Sequence, residues 1–267
     1  MEDNFFTQIK SNLQMIKQYM WINAKTAIEY KTSFIVQTVT MFLNDLLWIT
    51  FWWLFFARFP LINGWTYNDL LLLWVFGTIG FGLSGTFFGN KLNLPELIAE
   101  GKMDYYLTLP KNVLLHTLIS KVNWFACGDL IFGIVIGILI LKPEQLPLAV
   151  FLILFSTTLF VVIGIISGSM AFFIGNSQKI SKTIHDSVLA LSIYPTNVYD
   201  GLTKLILFTI IPAGLVTGMP VELMRHFELD KLIWMIVITI IFLIIAILFF
   251  YAGLKKYESG NQLYVNA

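Results

Sequence analysis

The chain has 267 residues, of which 57% are hydrophobic and 12% charged, with a formal net charge of +1. That much apolar surface exceeds what one soluble core can hide, and the near-zero charge provides no basic field for a nucleic acid. The lone Cys127 excludes an intramolecular disulfide and a cysteine metal cluster.

Residues 1–31 begin with Glu2 and Asp3 and lack the continuous apolar core of a cleavable signal. Phe6, Ile9, Leu13, Ile16, Met20 and Ala27 recur at helical spacing, and Lys10, Lys17 and Lys25 accompany them. This pattern predicts an amphipathic helix at the membrane interface. The remainder, 32–267, reads as one transmembrane domain. A helix rising about 1.5 Å per residue needs about 20 apolar residues to cross a hydrocarbon layer of about 30 Å. Six stretches meet or approach that length: Thr32 to Ala57, Leu70 to Phe88, Trp124 to Leu141, Leu148 to Ile174, Leu202 to Met219 and Leu232 to Leu254. The predicted fold is therefore all-α and polytopic.

The first span carries Asp45 and the third Asp129. Ionisable groups at that depth are costly and should face protein or water, either as structural partners of Asn44, Asn123 or Lys121 or as a substrate pathway. Trp48, Trp52, Trp53 and Trp65 suit an interfacial aromatic belt. Gly85/Gly89, Gly133/Gly137 and Gly164/Gly168 suit close helix packing.

Between spans two and three, Asn93 is placed to cap a short helix, with Pro95 in its first turn, Glu96 three residues on as in a capping box, and Gly101 as its stop. Leu94, Leu97 and Ile98 make one apolar face. A helix this short is marginal alone, so it needs either the protein's own spans or a partner's groove.

Val188 to Tyr199 is apolar but short and interrupted by Pro195, which places it outside the six spans. In the fifth span, Pro212 and Gly214 predict irregular backbone, which survives at membrane depth where it is buried in protein or lines a cavity. Such backbone fits either an ordinary Pro kink in a packed helix or, together with Thr217 to Asp230, Pro220 and Glu222, the outer gate that the family resemblance given below implies. Placing both termini in the cytoplasm puts thirteen of the 17 Lys and Arg inside, including Lys204, and leaves Arg58, Lys142, Arg225 and Lys231 outside.

Two segments carry a family resemblance. Leu97-Ile98-Ala99-Glu100-Gly101-Lys102 through Leu109-Pro110 resembles the cytoplasmic loop of type-2 ABC exporter permeases. Tyr194-Pro195 through Gly201, with Phe208 through Gly214 and Pro220-Val221-Glu222, resembles a branch of that family formerly known only as a domain of unknown function. The resemblance implies an exporter of hydrophobic or amphipathic substrates such as drugs, lipids or lipopeptides, built from two permeases, identical or related, and an ATPase dimer. It also implies a bacterial cytoplasmic membrane location and a re-entrant segment between helices five and six. Leu94, Glu96, Leu97, Ile98, Glu100 and Gly101 would form the ATPase-coupling helix. The sequence shows no G-x-x-x-x-G-K-[ST], so ATP and Mg are expected on the partner, with no catalysis, cofactor or metal in this chain.

Other readings fit less of the sequence. Ala126-Cys127-Gly128-Asp129 lacks the first glycine of the intramembrane aspartyl protease motif. His116, His185 and His226 have no metal-ligand spacing. An ion-coupled secondary transporter or channel remains the main alternative, although such carriers usually show repeated halves that are not evident here.

Overall fold

The computed structural model describes residues 2–258, with side chains from Lys10 onward apart from Asn197. Thus Phe6 and Ile9 of the amphipathic pattern, and the last residues of the 32–267 domain, lie outside what is described. The elements in chain order are α1 Glu2–Glu29, α2 Lys31–Arg58, α3 Tyr67–Phe87, α4 Leu94–Ala99, α5 Met103–Leu107, α6 Val113–Ile119, α7 Trp124–Ile140, α8 Leu146–Ser169, α9 Ala171–Ile174, α10 Gln178–Ser192, α11 Gly201–Thr209, α12 Met219–Arg225 and α13 Leu229–Leu254. No strand occurs among the described residues. The protein is an all-α polytopic membrane protein. Four segments are long and apolar enough to cross a bilayer singly, and two further helix pairs qualify as bent units.

The bundle has a lysine-rich end, where α1, α4, α5 and α6 gather, and a far end bearing the turns that precede α3, α8 and α13. Backbone hydrogen bonds continue through Tyr30, from Tyr30 N to Thr26 O and from Phe34 N to Tyr30 O, so α1 runs into α2 with little interruption. On α1, Met15 is buried and Tyr19 hydrogen-bonds His116 Nε2 on α6, while Lys111 reaches Ser11. Burial, followed by the nearby Tyr105 and Tyr106, pushes the Tyr19 hydroxyl up to about 12, so it keeps its proton. Leu13 faces away from the protein, which departs from the expected apolar stripe. Met15 and Tyr19, one turn apart, take the inward face instead.

Close packing explains the glycine pairs except for Gly137, whose surroundings would admit a side-chain carbon. A side chain at Gly85 would strike Ala126 Cβ of α7, and one at Gly168 would meet Leu94 Cβ at 2.9 Å. Trp65 and Trp52 do not belong to an exposed belt. Both are buried in the main apolar cluster, whereas Trp48 and Trp53 are exposed.

The fifth span is not Leu202 to Met219. Thr196 Oγ1 donates to Glu222 Oε1 at 3.1 Å, so the chain entering this region and the chain leaving it meet at one level. A segment whose ends touch cannot cross a membrane between them. α11 and the arm formed by a π-helical turn, Gly214–Gly218, with α12 meet at 79° across residues 210–213 and form a re-entrant unit. The fifth crossing is α10 and the turn after it. Ser181 Oγ donates to Ser167 Oγ near the lysine-rich end of α8, while Tyr194 packs on Trp52 in the outer half of α2. Val188 therefore belongs to a span, where it is buried in the main apolar cluster.

This arrangement moves Lys204 to the far end, where it shares a cleft with Glu222, Arg225, His226 and Lys231. A cysteine replacing Lys204, in a Cys127→Ala background, is expected to react with an impermeant thiol reagent from the same side as one replacing His226. Labelling from opposite sides would restore the through-span.

Candidate functional site

Asp45 and Asp129 line one partly open cavity of about 190 Å³ bordered by α2, α3, α7, α8, α10 and the π-helical turn. Helix crossing creates their proximity. A side chain at Gly128 would meet the carbonyl oxygen of Thr38, Met41 Cβ at 2.9 Å and Phe42 N at 3.1 Å, so α7 lies against the backbone of α2. Thr38 Oγ1 donates to Trp124 O at 3.3 Å, and Phe42 packs edge-on against Phe132 with centroids 5.2 Å apart. The next turn of α2 then presents Asp45 opposite Asp129.

The carboxylates are 2% and 4% exposed. In each, Oδ2 is buried without a hydrogen-bond partner. Asn123 is engaged elsewhere, accepting from Phe125 N at the start of α7. Trp74 also lines the cavity, and its Nε1 is buried and unpartnered. Thus acceptors and a donor without protein partners face a compartment whose other walls are largely apolar. Such a compartment is suited to binding, since an unpaired buried polar group gains by meeting a complementary ligand. The electrostatic neighbour of Asp129 is Asp45, which sequence spacing could not reveal.

The cavity's far side is closed by the re-entrant unit. Thr217, opposite Gly77 at the middle of α3, donates to Ser192 O at 2.7 Å. Ser156 Oγ donates to Val216 O at 2.6 Å, and Ser192 Oγ to Ala213 O at 3.3 Å. These bonds satisfy irregular backbone at membrane depth. Pro212, Gly214 and Pro220 are buried within this unit, while Glu222 is partly exposed and lies 3.8 Å from Lys231. Arg225, which sequence reading left unassigned, ties the unit to α3 through Asp69 at 3.3 Å and Gly64 O at 2.8 Å.

On α4, Leu94 and Ile98 are 0% exposed and pack within the chain's second apolar cluster, where α4 lies against α8 and α9. Leu97 joins its edge. Of the two covers the sequence allows for this face, the protein's own helices supply one. Asn93 makes no side-chain capping bond, because its backbone is already helical and its amide donates to Asn90 Oδ1 at 3.0 Å. Gly101 does end the turn, at φ +73°. The surface left for another molecule is charged. Lys102 bridges Glu100 and Glu96, the latter at 3.5 Å, and Glu100 raises the ammonium's pKa. Lys10, Lys17 and Lys25 are exposed along α1, with Lys25 5.0 Å above the Trp21 ring.

The sequence matches the profile of the ABC-2 family transporter proteins over residues 16–261. The chain belongs to the ABC-2 transporter family. No curated protein and no solved structure gives a match. As an ABC-2 family protein it is a non-catalytic, multi-pass permease component of an ABC transporter. Members of this family generally pair with an ABC ATPase. In this ABC-2 permease the Asp45–Asp129 cavity, its re-entrant cover and the charged edge of α4 are therefore parts of one transport subunit.

Proposed function

We propose that the protein is the membrane-spanning half of an ATP-driven exporter that moves a hydrophobic or amphipathic substrate by alternating access. ATP and Mg act on a separate ATPase dimer, and a second permease, identical or related, completes the pathway. The lysine-rich end, with both termini, faces the cytoplasm of a bacterial cell. With Lys204 at the far end, twelve of the 17 cationic side chains lie inside, which still satisfies the positive-inside bias.

The observation that carries this reading is the construction of α4. Its apolar face is anchored to α8 and α9 through Leu94 and Ile98, while Glu96, Glu100 and Lys102 project from the other side. A short helix fixed in this way transmits displacement to the spans, because packed interiors shift between discrete arrangements and deform little. The N-terminal helix offers a second handle, since α1 continues into α2, which carries Asp45. Asp45 and Asp129 mark the pathway, and the unit containing Pro212, Gly214, Pro220 and Glu222 is its outer gate.

Reversing both carboxylates, Glu96→Lys with Glu100→Lys, is expected to leave insertion and thermal stability unchanged. The same change should reduce ATPase association about ten-fold or more, because like charges then face a cationic rim. Pull-down of the ATPase and transport-coupled ATP hydrolysis would measure this. Full association and coupling in the double variant would exclude α4 as the coupling element. An ion-coupled carrier, the competing reading, would purify with no ATPase and hydrolyse no ATP.

A further inference from the structure

We propose that the acidic cavity and an aromatic cleft beside it form one binding site for an amphipathic organic cation, a compact amine or onium group carried on an aromatic or alkyl body. This inference rests on the transport reading and specifies the chemical class of its cargo. The cleft, about 660 Å³, is lined by Trp48, Phe51, Trp52, Phe55 and Tyr194, and it shares Asn44 and Trp48 with the acidic cavity. Steps of three and four residues along α2 place Asn44, Trp48, Phe51, Trp52 and Phe55 on one face, and Asp45 adjoins it. Trp52 meets Tyr194 of the turn after α10 edge-on at 6.0 Å, which closes the cleft from the other side.

Three features select the charge of the occupant. Both carboxylates are almost wholly buried, and each keeps an oxygen without a partner. No Lys, Arg or His lines either compartment. Aromatic faces carry negative potential, so Trp48 and its neighbours attract a cation and gain most when it is desolvated. An anion of the same shape would be repelled by the carboxylates. An inorganic ion would shed its water among Leu73, Phe81 and Phe160 without receiving enough oxygen ligands in return. An organic cation has a soft, weakly hydrated charge and an apolar body, and it matches both halves of the site.

The test uses the purified full chain in lipid nanodiscs, with empty nanodiscs subtracted, and requires no ATPase. The probes are tetraphenylphosphonium, dodecyltrimethylammonium and tetraphenylborate, the last an anion of nearly the same shape as the first. Saturable binding of at least one onium probe is expected. Its affinity should fall about ten-fold in Asp45→Asn and in Asp129→Asn, as expected for loss of a charged partner. Trp48→Leu, which leaves both carboxylates in place, should weaken it several-fold, and tetraphenylborate should show no saturable binding. Thermal unfolding of each variant would identify any that fails to fold. The preferred onium probe would report whether the body is compact or chain-like. Absence of saturable onium binding, equal binding of tetraphenylborate, or unchanged affinity in folded variants would overturn the proposal. None of those outcomes would touch the ATPase association on which the transport reading depends, and loss of that association would leave the binding result standing.

Discussion

Gly128→Val is expected to cause a large loss of folded protein. The first atom of any side chain at this position meets Thr38 O, Met41 Cβ and Phe42 N. Two of those three are backbone atoms of α2 and cannot rotate away, so the helices must separate along their whole crossing. Overpacking in a well-filled interior typically costs about 1–3 kcal/mol, and separation would also withdraw Asp129 from its place opposite Asp45. Gly128→Ala should show the same defect in milder form. Gly137→Ala, on the same helix, is the control: its nearest neighbour is Val75 Cγ1 at 3.6 Å, an ordinary contact. Melting temperature and monodisperse yield in detergent should rank wild type and Gly137→Ala together, then Gly128→Ala, then Gly128→Val. A Gly128→Val protein as stable as wild type would mean that α2 and α7 do not cross here.

Lys91→Met is expected to raise thermal stability and to flatten its dependence on pH. Lys91 is 1% exposed, just beyond the end of α3, and among the described residues no carboxylate forms an ion pair with it. Its ammonium donates to Ser84 Oγ at 2.9 Å and lies 5.9 Å from the Phe81 ring centroid, with the buried His185 as its titratable neighbour. Its stem lies over Gly164, with Cδ 2.6 Å from where a side chain there would begin. Burial pulls the ammonium down to about 7 from 10.5. Between those values the unfolded chain holds a proton that the folded chain has released, so stability rises as pH increases through that window. Methionine keeps the stem and removes the buried charge, a change often neutral or stabilising. Lys91→Ala also removes the packing against Gly164 and should cost about 2–5 kcal/mol relative to Lys91→Met, as do large-to-small changes elsewhere. Melting temperatures between pH 7 and 9.5 provide the measurement. A wild-type curve with no slope, or a Lys91→Met protein less stable at pH 7, would contradict this account.

Hydropathy made five crossings legible because α2, α3, α7, α8 and α13 hold long apolar runs, mostly uninterrupted by charge. It misplaced the other for a physical reason. α10 is amphipathic, with Lys179 and Lys182 near one end, Asp186 midway and Ser181, His185 and Ser192 turned inward, so it lacks the composition of a lipid-facing helix. Within the segment from Gly201 to Arg225, residues 212–221 are apolar because they are buried in protein, and burial in protein leaves the same mark on composition as burial in lipid. The α4 face was equally legible as a face, but periodicity does not say what covers it. Asp45 and Asp129 each stood out as charges at depth. Their shared cavity depended on the Gly128 crossing, a long-range contact that local pattern does not encode.

The manner in which α2 is held sets the direction in which the cavity can be entered. Its buried residues, Thr38, Asp45, Ile49, Trp52 and Phe56, fall at steps of seven, four, three and four, a single narrow seam with a period near 3.5. Polar links across that seam include Thr38 Oγ1 to Trp124 O and Tyr67 OH to Ile49 O. Much of the rest of the helix surface, including Leu47, Phe51, Trp53 and Leu54, faces outward. A helix attached along one edge behaves like a door on a jamb: swinging it opens an aperture sideways, at the level of the acyl chains. A molecule already dissolved in the bilayer would then reach the carboxylates without first passing through bulk water.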